Sequence, residues 1–448
     1  MAGERLWNDR DRLRYVRDAV RSHRPRTPVK RLLSGAAKLG AGVAFGQMLV
    51  VLVSPVLSRL YTPEQFGAYA LVAAIAALVT VVSTGRLELA VPVARSNRDA
   101  RDALLLGLLY LLVGTVFATV VVVVGTLLGQ EIVPIGPELL LVPVFAFFAG
   151  LLELASAYLF RRRRYAAAAR RSVLLNGTMA ASQLGLGAAN WSVGLSIGHV
   201  ASRVVAAWYS LHVGGVRIRR DLRGLQKSRI RRVAHRTAHF PIVLAPSALV
   251  NAIGAQAPVL LFGLLLGPAA AGLLGFTQRV LGAPVALLGQ SLAQVYTAES
   301  ASSLRSSSSD ARVLFLRSSA VLLSTAAVLG TAIFVLAPLL FGPVFGDEWE
   351  EGGPIAQALS IGVAAQMVVV PLSQTLIVFG RYRTQLSWDI GRLAVVAGAV
   401  IVPHSLGFSL PQIAWTFSIT SAVSYAILWI LCFEAVSRAD GIVRVPAP

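Results

Sequence analysis

The chain has 448 residues, of which 56% are hydrophobic and 14% charged, and its formal net charge is +20. A soluble domain is about 25% charged and could not hide this much apolar surface, so composition excludes a water-soluble globular protein. The positive charge does not mark a nucleic-acid partner, because Lys and Arg sit in short connections between apolar runs, where membrane topology alone places them.

Residues 1–38 form a polar, strongly basic N-terminal tail. Its Leu6, Trp7, Leu13, Tyr15 and Val16 stand among Arg residues, which leaves two readings, an interfacial amphipathic helix or a disordered segment. The first apolar run is too long for a signal-peptide core, so no cleavage is expected and the N-terminus stays in the cytoplasm. Six runs long enough to span a bilayer follow: Leu39–Leu57, Phe66–Thr84, Ala103–Leu128, Ile132–Leu159, Val173–Ala189 and Val193–Val213. They predict an N-terminal six-helix bundle over 39–213. The Arg-rich stretch 214–239 predicts a cytoplasmic linker. A second bundle over 240–436 has Phe240–Leu266, Ala269–Tyr296, Val313–Phe341, Pro354–Gly380, Ile390–Pro403 with an extension, and Gln412–Val436. Residues 437–448 form a cytoplasmic C-terminal tail. The predicted fold class is an all-α integral membrane protein with about twelve transmembrane helices and both termini in the cytoplasm.

Charge placement supports this topology. Of 41 Lys and Arg residues, 38 fall in the segments predicted to be cytoplasmic and none in the outer loops. Glu64, Glu131, Glu138, Asp347, Glu348, Glu350 and Glu351 fall in the outer loops. One missed span would invert every later loop and destroy this separation. The first two spans of each half also share a weak repeat. Ser54-Pro55-Val56-Leu57 and Pro63-Glu64-Gln65-Phe66-Gly67 answer to Ala257-Pro258-Val259-Leu260 and Pro268-Ala269-Ala270-Ala271-Gly272. Internal repeats are a common way of building transporters.

Several chemistries lack their motifs. There is no phosphate-binding Gly-x-x-x-x-Gly-Lys-Ser/Thr loop, no Gly-x-Ser-x-Gly elbow and no His/Cys cluster, so no cofactor or metal is expected. Cys432 is alone within an apolar run and is read as a buried core residue. The outer loops are too short for the soluble platform of a membrane glycosyltransferase, which points to transport rather than catalysis.

Three stretches bear a family resemblance. Leu57-Ser58-Arg59-Leu60-Tyr61-Thr62-Pro63-Glu64-Gln65-Phe66-Gly67-Ala68-Tyr69 resembles the first extracytoplasmic turn of O-antigen flippase-like polysaccharide transporters. Gly85-Arg86-Leu87-Glu88-Leu89-Ala90-Val91-Pro92 resembles the end of their second span, and Gly272 to Leu281 with Pro284 their eighth. That family belongs to the multidrug, oligosaccharidyl-lipid and polysaccharide exporter superfamily. The resemblance implies two six-helix bundles in a V around a central cavity. It also implies translocation of a lipid-diphosphate-linked oligosaccharide from the inner to the outer leaflet of the cytoplasmic membrane, by alternating access, for surface polysaccharide. The implied partners are this lipid-linked glycan, membrane lipids and other polysaccharide-assembly proteins.

Arg59, Arg203 and Arg279 are the basic residues outside the cytoplasmic segments. A mid-membrane Arg costs roughly 2.5–3.5 kcal/mol to insert, so it faces the bundle interior or a wet cavity. A planar guanidinium fork also suits phosphate. Arg203 and Arg279 are therefore the leading anion contacts, with Arg59 and Arg86 near the two mouths. For Arg203 the structural alternative is a pair with Glu153, and for Arg59 it is snorkelling to outer headgroups. Arg86 with Glu88 could be an ordinary surface pair. His199, one turn before Arg203, is either a coupling group or a satisfied core histidine. Glu153 is read as the one acid well inside a span. Gln278, Gln290 and Gln294 either line a sugar path or bond across helices. The alternative functions are a cation-coupled multidrug exporter of the same superfamily, or a membrane component of a glycan-assembly enzyme complex. The exporter would favour buried acids over these buried cations.

Overall fold

The computed structural model describes residues 29–128, 136–216, 227–282, 311–378 and 381–443. The first 28 residues of the tail, Pro284, Gln290, Gln294 and residues 217–226 of the predicted linker lie outside them. The first half is built from α1 (Val29–Leu60), α2 (Pro63–Thr84), α3 (Asn97–Leu127), α4 (Leu141–Arg161), α5 (Tyr165–Ala188) and α6 (Gly194–Gly214). A short helix, α7 (Lys227–Thr237), belongs to the linker. The second half has α8 (Ala245–Leu266), α9 (268–282), α10 (Ala311–Phe345), α11 (Gly352–Val378), α12 (Tyr382–Ser405) and α13 (Leu410–Val443).

Among the described residues, nine helical stretches are long and apolar enough to cross a membrane. The other three predicted spans are α5 and α6, which are helical but less apolar, and α9, whose predicted continuation lies outside the described residues. Some ends differ from the sequence reading. α1 starts at Val29 rather than Leu39, so the helix runs back into the basic tail. α3 starts at Asn97 because Ser96 Oγ accepts a hydrogen bond from the Asp99 amide at 3.0 Å, an N-cap outside the apolar run. α4 starts at Leu141 after a 3-10 turn over Gly136–Leu140, where Gly136 and Pro137 disfavour an α-helix.

The turn between α1 and α2 follows from its sequence. Thr62 Oγ1 accepts from the Gln65 amide at 3.4 Å, and Gln65 Oε1 accepts from the Thr62 amide at 3.2 Å, a capping box with Pro63 at the first helical position. α2 ends at Gly85, which adopts φ 55°. In the first half α1 packs on α5, α5 on α6, α6 on α4, and α4 on α2 and α3. In the second, α8 packs on α12, α12 on α13, α13 on α11 and α11 on α10. The halves meet along α2 and α8, with α10 against α1.

The two ends of the bundle differ in charge and packing. At the acidic end, exposed Glu64, Asp347, Glu348, Glu350 and Glu351 surround a buried aromatic seam. Phe66 of the first half lies edge-on to Phe276 and to Trp349 of the second, each at 5.1 Å between ring centroids. Trp349 is fully buried, and its Nε1 donates to the Ser58 carbonyl at 2.8 Å. At the basic end, α7 lays Ile230, Val233 and Ala234 against Leu87 and Phe240 while Arg231, Arg232 and Arg236 stay exposed. Arg229 of α7 pairs with the buried Asp102 of α3 at 2.8 Å.

Candidate functional site

Beneath the aromatic seam, polar side chains from both halves converge on one interior region. Tyr69 comes from α2, Gln183 from α5, His199 and Arg203 from α6, and Arg279 from α9. Arg279 lies one turn below Phe276 of the seam, so α9 passes directly from the seam into this region. Tyr69, His199, Arg203 and Arg279 are half-buried. Each keeps some accessible surface although it stands at mid-helix.

Gln183 is the fixed node of the cluster. Its carbonyl accepts from Tyr61 Oη at 2.8 Å, its Nε2 donates to the Leu195 carbonyl at 3.0 Å, and its Oε1 accepts from Arg279 Nη2 at 3.1 Å. The Tyr61 bond reaches the Gln183 backbone carbonyl, and the Leu195 bond orients the side-chain amide, so that Oε1 is presented to the Arg of the second half. Arg279 Nε is buried without a partner.

Arg203 is held differently. Its guanidinium lies 4.9 Å over the Phe145 ring and forms no ion pair among the described residues, so the alternative of a pair with Glu153 is not made. The His199 ring is 4.3 Å from the same Phe145, because His199 and Arg203 share a helix face. His199 Nδ1 lies 2.6 Å from Tyr69 Oη, while its Nε2 is buried and unpartnered. The core of the cluster therefore holds two guanidinium groups and an imidazole, with no carboxylate in contact among the described residues.

Glu153 lies exposed on α4, within electrostatic reach of Glu88, Arg86 and Arg203. Arg86 adopts a left-handed φ of 58° and pairs with Glu88 at 3.2 Å. Glu88 is only 7% exposed, so this is not the ordinary surface pair that a helix end would give. Arg59 is exposed at the acidic end of α1, away from the cluster. Gln278 is half-buried on α9. A second acid lies in the early turns of α12: Asp389 is 7% exposed and bonded by Asn251 Nδ2 at 3.0 Å. No group of three or more His, Cys, Asp or Glu residues arranged to hold a metal occurs among the described residues.

Sequence reasoning located Arg203, Arg279 and His199 but missed Tyr69, Gln183 and Phe145, the side chains that hold them. An intramembrane Arg announces itself by its insertion cost, whereas a Tyr or Phe in an apolar helix does not.

The family model for "Polysaccharide biosynthesis protein" matches residues 56–354. The teichuronic acid biosynthesis protein TuaB of Bacillus subtilis is 26% identical over 188 residues, 42% of this chain and 38% of that protein. The match thus spans well under half of that relative's length. An inward-facing multidrug resistance MATE family transporter of the MOP superfamily superposes with a TM-score of 0.69, at 15% identity over 90% of this chain and 96% of that one. The lipid II flippase MurJ, in an inward closed conformation, superposes with a TM-score of 0.67, at 11% identity over 90% of each chain. A MOP superfamily transporter from Pyrococcus furiosus gives a TM-score of 0.58, at 14% identity over 90% of this chain and 96% of that one. At these identities the likeness establishes the fold, which is the two-bundle membrane architecture expected from the sequence.

Proposed function

Since the chain belongs to the polysaccharide biosynthesis protein family, we propose that it is a flippase that carries a lipid-diphosphate-linked oligosaccharide from the inner to the outer leaflet of the cytoplasmic membrane. The observation behind this reading is that half-buried Arg203 from one half and Arg279 from the other belong to one polar cluster with no contacting carboxylate among the described residues; the region they share is read as the substrate cleft. Two buried cations cost free energy in a membrane, and a diphosphate offsets that cost when it occupies the cleft. Guanidinium forks bind phosphoryl oxygens through paired charge-assisted hydrogen bonds. The basic end, where Lys and Arg concentrate, faces the cytoplasm in this reading.

The seam at the acidic end closes the outer side while the headgroup enters from the basic side. Alternating access then requires the seam to part and the basic ends to approach, with the polyprenyl chain remaining in lipid. The match to a teichuronic acid biosynthesis protein supports an envelope glycan as cargo. Assembly proteins that make and polymerise that glycan are the expected partners. Multidrug export, the second reading, draws on the MATE fold, but a cleft centred on two Arg side chains repels organic cations.

The test is complementation of a strain lacking its polysaccharide flippase, scored as surface glycan against protein level in the membrane. Restoration by the wild-type chain and loss with well-expressed R203A and R279A support the flippase and the site together. Normal function of both variants refutes the site, and restored drug resistance in an exporter-deficient strain favours the second reading.

A further inference from the structure

We propose that His199 is a third donor to the bound anion and that Tyr69 acts as a positioning residue by holding it in the donor tautomer. This inference rests on the anion-site reading above. His199 Nδ1 and Tyr69 Oη are 2.6 Å apart. When the phenol donates, Nδ1 is the acceptor, and a neutral imidazole then has its one proton on Nε2.

Nε2 is buried and has no partner. The ring shares its neighbourhood with Arg203, which lies over the same Phe145, and with Arg279, the two guanidinium groups that would draw an anion there. Phe145 packs against the ring at 4.3 Å between centroids, and the Tyr69 bond holds the Nδ1 side. A histidine serving only the core would be bonded at both ring nitrogens or covered by apolar groups. Here one nitrogen is fixed and the other is left for a ligand, which is how outer partners orient a ring toward what it binds. The ligand class is a phosphoryl oxygen of a lipid diphosphate, an anionic acceptor that takes a neutral N–H beside the stronger guanidinium forks.

The experiment measures binding of undecaprenyl diphosphate to the purified full-length protein, with undecaprenol as the uncharged control and thermal melting as the fold control. H199A and Y69F are each expected to weaken binding by about tenfold, the equivalent of one hydrogen bond to a charged acceptor. The double variant should bind no more weakly than H199A, because Tyr69 acts through the ring. H199Q can place an amide N–H near the Nε2 position, so it should bind within about threefold of wild type and become indifferent to Y69F. Nitrogen-15 shifts of the wild-type histidine should show a protonated Nε2.

Wild-type affinity in H199A, with R203A weakened, overturns the His199 assignment while leaving the anion site intact. An equal loss from Y69F in the wild-type and H199Q backgrounds makes Tyr69 a general packing residue and overturns its positioning role. If the wild-type protein does not prefer the diphosphate over undecaprenol, the anion-site reading itself fails and this inference falls with it.

Discussion

Gly67 and Gly272 close the acidic end reciprocally: a Cβ added to Gly67 would land on the Pro268 carbonyl oxygen, and one added to Gly272 on the Pro63 carbonyl oxygen. The two glycines hold equivalent places in the repeat that begins at Pro63 and at Pro268. The starts of α2 and α9 thus pack as a pseudo-two-fold pair, backbone against backbone, and any side chain must push them apart. G67A and G272A should each lower stability by about 1–3 kcal/mol, the usual cost of overpacking a tight contact. Because both act on one contact, the double variant should lose less than the sum of the two. Thermal unfolding of the purified protein checks this, and unchanged melting in both single variants would contradict the close approach.

Trp349 is the second fastening of the same end. It packs against Phe66 at 5.1 Å and Phe276 at 4.3 Å, and donates to the Ser58 carbonyl at 2.8 Å. W349F removes the hydrogen bond and should cost about 1 kcal/mol, whereas W349A also opens a cavity and should cost about 3–5 kcal/mol. A loosened seam would expose Ser58, now 5% accessible. With Cys432 replaced by Ala, a cysteine reporter from Ser58→Cys should resist a membrane-impermeant thiol reagent in the wild-type background and label in W349A cells. Equal labelling in both backgrounds would show that Trp349 does not seal this end.

The spans and their order were legible because the bilayer imposes them: apolar length and the separation of Arg from Glu are one-dimensional signals. The seam was half legible, since the repeat pointed to 63–67 and 268–272 but not to their contact. Among the site residues, buried Arg203 and Arg279 were conspicuous by their cost, whereas Tyr69, Gln183 and Phe145 depend on how each helix is rotated about its axis. That rotation is set by packing between helices of nearly uniform hydrophobicity, so no periodicity in the sequence reports it. Asp389 stands just before the apolar run Ile390–Pro403, and it falls inside α12 because that helix begins earlier, at Tyr382.

Asp389 organises the basic side of the second half. Asn251 of α8 donates to its Oδ1 at 3.0 Å, and Arg392, one turn further along α12, lies over Trp388 at 5.4 Å and Tyr425 at 5.1 Å. D389A removes the acceptor for Asn251 and the negative charge near Arg392, and should destabilise the protein by about 1–2 kcal/mol. D389N keeps an acceptor oxygen of the same reach and should cost less. Melting temperatures of the two variants test the order, and an equal loss in D389N and D389A would show that the charge, rather than the acceptor, holds this cluster.

Arg203 separates charge from geometry at the proposed site. Its guanidinium is stacked at 4.9 Å on Phe145, which pre-orients a planar fork toward the cleft. Lysine at this position would keep the positive charge but lose both the stacking and the paired donors. In vesicles containing a fluorescent lipid-diphosphate oligosaccharide, R203A should slow translocation by about a hundredfold, on the scale of two lost charge-assisted hydrogen bonds. R203K should fall between R203A and wild type, about tenfold down, since a point charge recovers attraction without bidentate fit. F145L should act in the same direction as R203K but more weakly, because it removes the platform and leaves the fork. Equal activity of R203K and wild type would mean that the site recognises charge alone. Full activity in R203A would remove Arg203 from the transport path and leave Arg279 as the remaining cation of this cluster on which an anion could be carried.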